Sequence, residues 1–212
     1  MDVFPQIKAE VYQLFLNAKG SHDWEHTERV YNLCLRIGVR ENADLDILNY
    51  AALLHDIGRA DQDRLNGQIC HAENGAILAK QLLEKYKVSP DTIEKIVHCI
   101  KSHRYRGKIL PRTIEAKVLF DADKLDSIGA VGIGRAFLFA GEIGAKLHNK
   151  NVDVEKTQPY SKEDTAYREF LVKLRKIKKR MLTDEGKKIA QGRHTFMVDF
   201  FDRLNNETDG NL

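Results

Sequence analysis

The eight histidines of this chain are unevenly placed. His22 and His26 share one helical start, His55 stands beside Asp56, and His71, His98 and His103 precede an acidic cluster of Asp121, Asp123 and Asp126. Neutral imidazole nitrogens and carboxylate oxygens bind hard and borderline divalent cations, so Mn²⁺, Fe²⁺, Mg²⁺, Ni²⁺ and Zn²⁺ all suit this palette. The lack of cysteine nearby argues against iron–sulfur and thiolate zinc sites.

His55-Asp56 is the sharpest single feature, because the apolar run Ala51–Leu54 delivers a histidine and a carboxylate together to a helix end. A buried unpaired charge is costly, and a bound cation would neutralise Asp56. Taken alone, the dipeptide reads better as a carboxylate bonded to loop amides beside a satisfied core histidine. The run His22-Asp23-Trp24-Glu25-His26 has the H-x-x-E-H spacing of a zinc protease helix, with Glu25 as the base. That alternative leaves His55, Asp56 and the aspartates without a role. Ser21 serves equally well as an N-cap that places His22 and Asp23 in a first turn.

The elements that carry these residues are predicted to be helices. Only four prolines occur, and apolar residues recur at three- and four-residue spacing between them. Val11, Leu14 and Phe15 form one stripe; Val30, Leu33, Cys34 and Ile37 form another that Gly38 should end. Asp46 to Ile57 is a short, almost wholly apolar helix stopped by Gly58. Further helices are predicted over Ala72–Tyr86, Thr92–Ser102 and Thr113–Asp126. Glycines at 129, 132, 134, 141 and 144 imply close packing against that backbone. His148–Ser161 is expected to be a long mobile loop, Ser161 with Asp164 resembles a capping box, and residues 161–205 should supply two last helices before a frayed tail. No strand pattern or repeat is seen, which predicts an all-α, single-domain helical bundle over residues 1–212.

Composition is that of a globular chain: 42% hydrophobic and 31% charged residues, with a mean hydropathy of −0.45. No apolar run approaches a membrane span and no secretory leader is seen, so a cytoplasmic location is expected. The three cysteines, Cys34, Cys70 and Cys99, indicate no disulfide framework. A net charge of +3 names no partner. The basic run Lys173–Arg180 reads as the solvated face of an amphipathic helix whose other face holds Phe170, Leu171, Leu174, Ile177 and Met181, so nucleic acid is not expected to bind there.

SHDWEHTERV, AALLHDIGR, HAENGA, CIKSHRYRG, EAKVLFDADKLDSIGAVGIGRAF and RMLTDEGKKIA resemble the small stand-alone HD-domain hydrolases of bacteria and archaea, over nearly the whole chain. The resemblance implies an all-α bundle in which His26, His55, Asp56 and Asp123 hold a divalent metal ion. Asp123 is chosen from DADKLD because the family's last ligand opens an A-D-x-L pattern, which leaves Asp126 as an outer partner. Some members bind a second ion through two added histidines, and His71 and His103 stand where those would be; otherwise His71 caps or supports the site and His103 meets phosphate. His98 reads as structural.

The resemblance implies a metal-dependent phosphohydrolase acting on a phosphomonoester or pyrophosphate bond of a small molecule, a nucleotide above all, with nucleoside triphosphate pyrophosphohydrolysis as one version. Such a metal lowers the pKa of bound water toward ~7 and polarises a phosphoryl oxygen. Arg59, Arg104, Arg106 and Lys124 are the cations nearest the motifs and would meet substrate phosphate, with Lys124 and Arg104 preferred. His71 or His103, if not metal-bound, would protonate the leaving oxygen, and Lys124 counts with them as catalytic. The alternatives are the H-x-x-E-H protease and a ligand-binding HD module without turnover.

Overall fold

The computed structural model describes residues 3–16, 23–65, 67–104 and 109–212, and among these the regular structure is helical throughout. The elements are α1 (Phe4–Phe15), α2 (Trp24–Arg40), α3 (Leu45–Leu54), α4 (Arg59–Arg64), α5 (His71–Lys85), α6 (Pro90–Ser102), α7 (Ile114–Leu125), α8 (Gly129–Glu142), α9 (Ala166–Val172), a 3-10 helix (Leu174–Arg180) and α10 (Asp184–Thr208). The chain divides into two compact units, residues 1–123 and 124–212. None of these helices is long and apolar enough to cross a membrane.

In the first unit α3 packs against both α2 and α6, and α5 packs against α6. The composition of α3 explains its central place: Ile47, Leu48, Ala51, Ala52, Leu53 and Leu54 are all buried, while Leu45 and Asp46 at its start remain exposed. Starts are set by side-chain caps. Asp23 accepts from the His26 amide at 2.8 Å, Asp44 from Asp46 and Ile47 at 2.9 and 3.2 Å, and Ser89 from Thr92 at 3.2 Å. The cap of α2 is therefore Asp23; Ser21 and His22 lie outside the described residues. Leu14, expected on the apolar stripe of α1, is exposed, and Ile7 joins Val11 and Phe15 in the core.

Two glycines have other roles than sequence suggests. Gly38 does not end α2, which runs on to Arg40; a Cβ there would stand 2.5 Å from Leu48 Cδ1, so it is the close-approach point of α2 on α3. Gly58 sits at φ −85°, opening α4, and a Cβ on it would come 2.5 Å from the His71 carbonyl and 2.6 Å from the Gly75 amide. The turn after α3 is thus laid directly on the start of α5.

The second unit is built around α10, which meets α8 and the 3-10 helix. Phe170 of α9 stacks on Phe201 with centroids 4.6 Å apart. Of the five glycines expected to mark close packing, two do so: Gly129, with φ +79°, lies under the Arg193 stem, and Gly132 faces the Ser127 carbonyl. The segment after α8 has no helix but is tied down. Lys146 donates to the Lys162 carbonyl at 2.9 Å, and buried Arg168 reaches Thr157 through Nε at 2.6 Å and Asp164 through Nη1 at 2.6 Å. The cap of α9 is Thr165 rather than Ser161, accepting from Arg168 at 3.1 Å. Leu174 and Ile177, three apart, are buried on the 3-10 helix, the period that geometry requires. The last helix continues through the expected frayed tail to Thr208.

Candidate metal centre

Six side chains from five helices and their ends converge in the first unit. His26 lies in the first turn of α2, His55 caps the C-terminus of α3, Asp56 follows it, His71 opens α5, His103 caps the C-terminus of α6 and Asp123 lies in α7. Five are buried to 5% exposure or less, and the Asp123 side chain is 16% exposed.

Helix-end chemistry orients the rings. The last carbonyls of a helix lack intrahelical donors, and at two helix ends a histidine Nδ1–H folds back to fill that role: His55 donates to Ala52 O at 2.7 Å and His103 to Ile100 O at 2.6 Å. The His71 Nδ1–H donates to Gln62 Oε1 at 2.9 Å, and the same oxygen accepts the His71 amide at 3.0 Å. With Nδ1 protonated, a neutral ring carries its lone pair on Nε2. Burial, against a smaller opposing pull from Asp56, lowers the His55 pKa to about 4 and that of His71 to about 3, so both rings are neutral at pH 7.

The inward-facing atoms form two sets that share Asp56. Oδ2 of Asp56 is 3.7 Å from Nε2 of His26 and of His55; these two nitrogens are 3.3 Å apart, and Asp123 Oδ1 is 3.5 Å from His26 Nε2. Oδ1 of Asp56 is 3.6 Å from His71 Nε2 and 3.7 Å from His103 Nε2. His26, His55 and Asp123 form one group able to hold an ion, and Asp56, His71 and His103 form another. Ligands about 2.1 Å from an ion stand about 3–3.5 Å from one another, and neutral nitrogens facing carboxylate oxygens are the donors such an ion requires. The residues fit a divalent cation.

The remaining sequence candidates have varied surroundings. Asp126 receives Arg135 Nη1 at 2.6 Å, so its carboxylate is engaged by a guanidinium. Lys124 and, three residues before it, Asp121 are both buried in α7. Arg59 Nη2 is 3.4 Å from Asp56 Oδ1 and 3.3 Å from His71 Nε2. Arg104 donates to Cys70 Sγ at 3.3 Å, and Arg106 falls outside the described residues. His98 accepts the Arg112 amide at 3.1 Å and tethers the loop before α7. Glu25, the base of the protease alternative, has an 81% exposed side chain near Arg29, whereas His26 is fully buried. Gln62, which orients His71 from α4, had no signal in the sequence, because a lone glutamine on a short polar helix looks like any surface residue.

The HD domain family model matches residues 23–128, which include all six converging side chains. The uncharacterised protein YpgQ of Bacillus subtilis is 36% identical, over 97% of this chain and 93% of its own length. A crystal structure of YpgQ in complex with ADP superposes with a TM-score of 0.75 at 31% identity, covering 96% of this chain and 97% of that one. An HD-superfamily hydrolase of Bacillus thuringiensis gives 0.75 at 26% identity, over 97% and 96% of the two chains. Ribonuclease Y of Desulforamulus reducens is 31% identical over 53% of this chain and 20% of its own length. With the matched segment spanning the whole donor cluster and the likeness to YpgQ extending over nearly the full chain, this all-α protein belongs to the HD-domain family.

Proposed function

We propose that this protein is a metal-dependent phosphohydrolase that cleaves a phosphomonoester or pyrophosphate bond in a nucleotide. The observation that carries the reading is the convergence of His26 and His55 on one oxygen of Asp56, with Asp123 against His26, and of His71 and His103 on the other oxygen. The ADP complex of YpgQ supports a nucleotide, and the likeness to HD-superfamily hydrolases supports hydrolysis. A divalent ion held by such donors supplies Lewis acidity to a phosphoryl oxygen and acidifies water toward neutrality.

The protein's own groups divide the remaining work. His26, His55, Asp56 and Asp123 hold the ion. His71 and His103 suit a second ion better than proton transfer, since each Nδ1–H is committed to an oxygen and burial keeps His71 from holding a second proton at neutral pH. Arg59, at the edge of the cluster, and Lys124 and Arg104 are the groups to meet phosphate, where a guanidinium offers paired donors. Lys124 also serves as the catalytic cation that offsets charge on the phosphoryl group.

The test is chelation, reloading with Mn²⁺, Mg²⁺ or Ni²⁺, and assay of an aryl phosphate, nucleoside triphosphates and a single-stranded RNA, scoring phosphate and pyrophosphate separately. The expected result is metal-dependent release from nucleotides that Asp56→Asn abolishes together with ion binding. Hydrolysis that survives chelation would overturn the proposal. Stoichiometric metal without turnover on any substrate would favour a ligand-binding module, and turnover of RNA alone would replace the nucleotide as substrate.

A further inference from the structure

We infer that Arg59 is a built-in competitor for the second cation: its guanidinium occupies the donors of that set, and an ion enters only when the side chain swings away. The inference rests on the metal-centre reading above and goes beyond it. Arg59 Nη2 lies 3.4 Å from Asp56 Oδ1 and 3.3 Å from His71 Nε2, two of the three donors in the second group. Because His71 Nδ1–H is given to Gln62, the single lone pair on Nε2 is what accepts from Arg59. One lone pair serves a guanidinium or a cation, not both, and two positive charges at that separation repel.

The main chain cannot accommodate the exchange. Arg59 directly follows Gly58, whose backbone is pressed on His71 and Gly75, so any movement belongs to the side chain. That side chain is 18% exposed, which gives it a way out, and its Nε is buried with no partner among the described residues, so the contacts shown for the guanidinium run through Nη2. Binding of the first ion, by His26, His55, Asp123 and Oδ2 of Asp56, is not met head-on by these Arg59 contacts, which fall on Oδ1 of Asp56 and on His71.

The experiment is Mn²⁺ binding to the chelator-stripped full chain, followed by calorimetry and by the electron paramagnetic resonance signal of free Mn²⁺. Wild type is expected to bind one ion tightly and a second about tenfold or more weakly. Arg59→Gln should tighten the second ion about tenfold or more while leaving the first within about twofold. The double variant Arg59→Gln/His71→Ala should lose the tightened ion, which locates it. Unchanged or weaker second binding in Arg59→Gln, or its survival in the double variant, would overturn the inference while the first ion leaves the metal-centre reading standing. No bound ion in either protein would sink that reading itself.

Discussion

Alanine at Gly58 puts a methyl group into the contact that holds the His-Asp turn against α5. The φ of −85° suits alanine, so the backbone conformation itself is not strained, and the smaller unfolded-state entropy would by itself add about 0.4–1 kcal/mol of stability. Against that, the new Cβ would lie 2.5 Å from the His71 carbonyl and 2.6 Å from the Gly75 amide. Both neighbours are backbone, so no rotamer change relieves the overlap, and overpacking of this kind costs about 1–3 kcal/mol. The net expectation is a loss of about 1.3 kcal/mol. At about 2–4 °C per kcal/mol for a chain of this size, Gly58→Ala should melt roughly 3–5 °C below wild type in a thermal scan of metal-free protein. Because the displaced elements carry Asp56 and His71, Mn²⁺ binding should weaken with it. Gly134→Ala is the control. It sits exposed inside α8 with nothing among the described residues within 4 Å of its Cβ position, and it should gain about 0.5–1 kcal/mol from helix propensity. A Gly58→Ala protein that melts at or above wild type, or two variants that shift in the same direction, would refute the close-packing account.

Two further outcomes follow from the donor cluster. An unfolded histidine titrates near 6.5, whereas burial holds His55 at about 4 and His71 at about 3. Above pH 6.5 neither state takes a proton at these rings and stability is fully present; as pH falls from 6.5 toward 4 the unfolded chain binds protons that the folded rings resist, so stability declines. The His55 part amounts to about 3 kcal/mol at 1.36 kcal/mol per unit. The melting temperature of chelator-treated protein should therefore fall between pH 7 and pH 5, with a shallower slope in His55→Asn, and equal slopes would contradict the assignment. Gln62→Leu removes the acceptor that orients His71 and should weaken second-ion binding by about 10–100-fold, measured in the Arg59→Gln background; unaltered affinity there would remove Gln62 from any positioning role.

The helices and the residues able to bind metal were legible because both are written in local pattern. Period-3.6 spacing and side-chain caps act within a few residues, so α3, α5, α6 and α7 were readable to within a few positions. The His55-Asp56 dyad was visible as polarity at the end of an apolar run, and its partners became readable through the motifs around them. What sequence misjudged was set by contacts between elements. Gly38 looked like a terminator because its neighbour Leu48 is distant in the chain, and Thr165 displaced Ser161 as a cap because Arg168 and Thr157 draw that segment together. The sharing of Asp56 between two donor sets, the Gln62 oxygen behind His71 and the Arg59 guanidinium at its face could not be read from spacing. They depend on where a side chain points after the turn is pressed onto α5. The sequence by itself determined an all-α chain with a histidine and aspartate donor set; only tertiary packing decided which lone pairs face one another, because distances of a few ångströms between remote residues arise from the fold and not from their order.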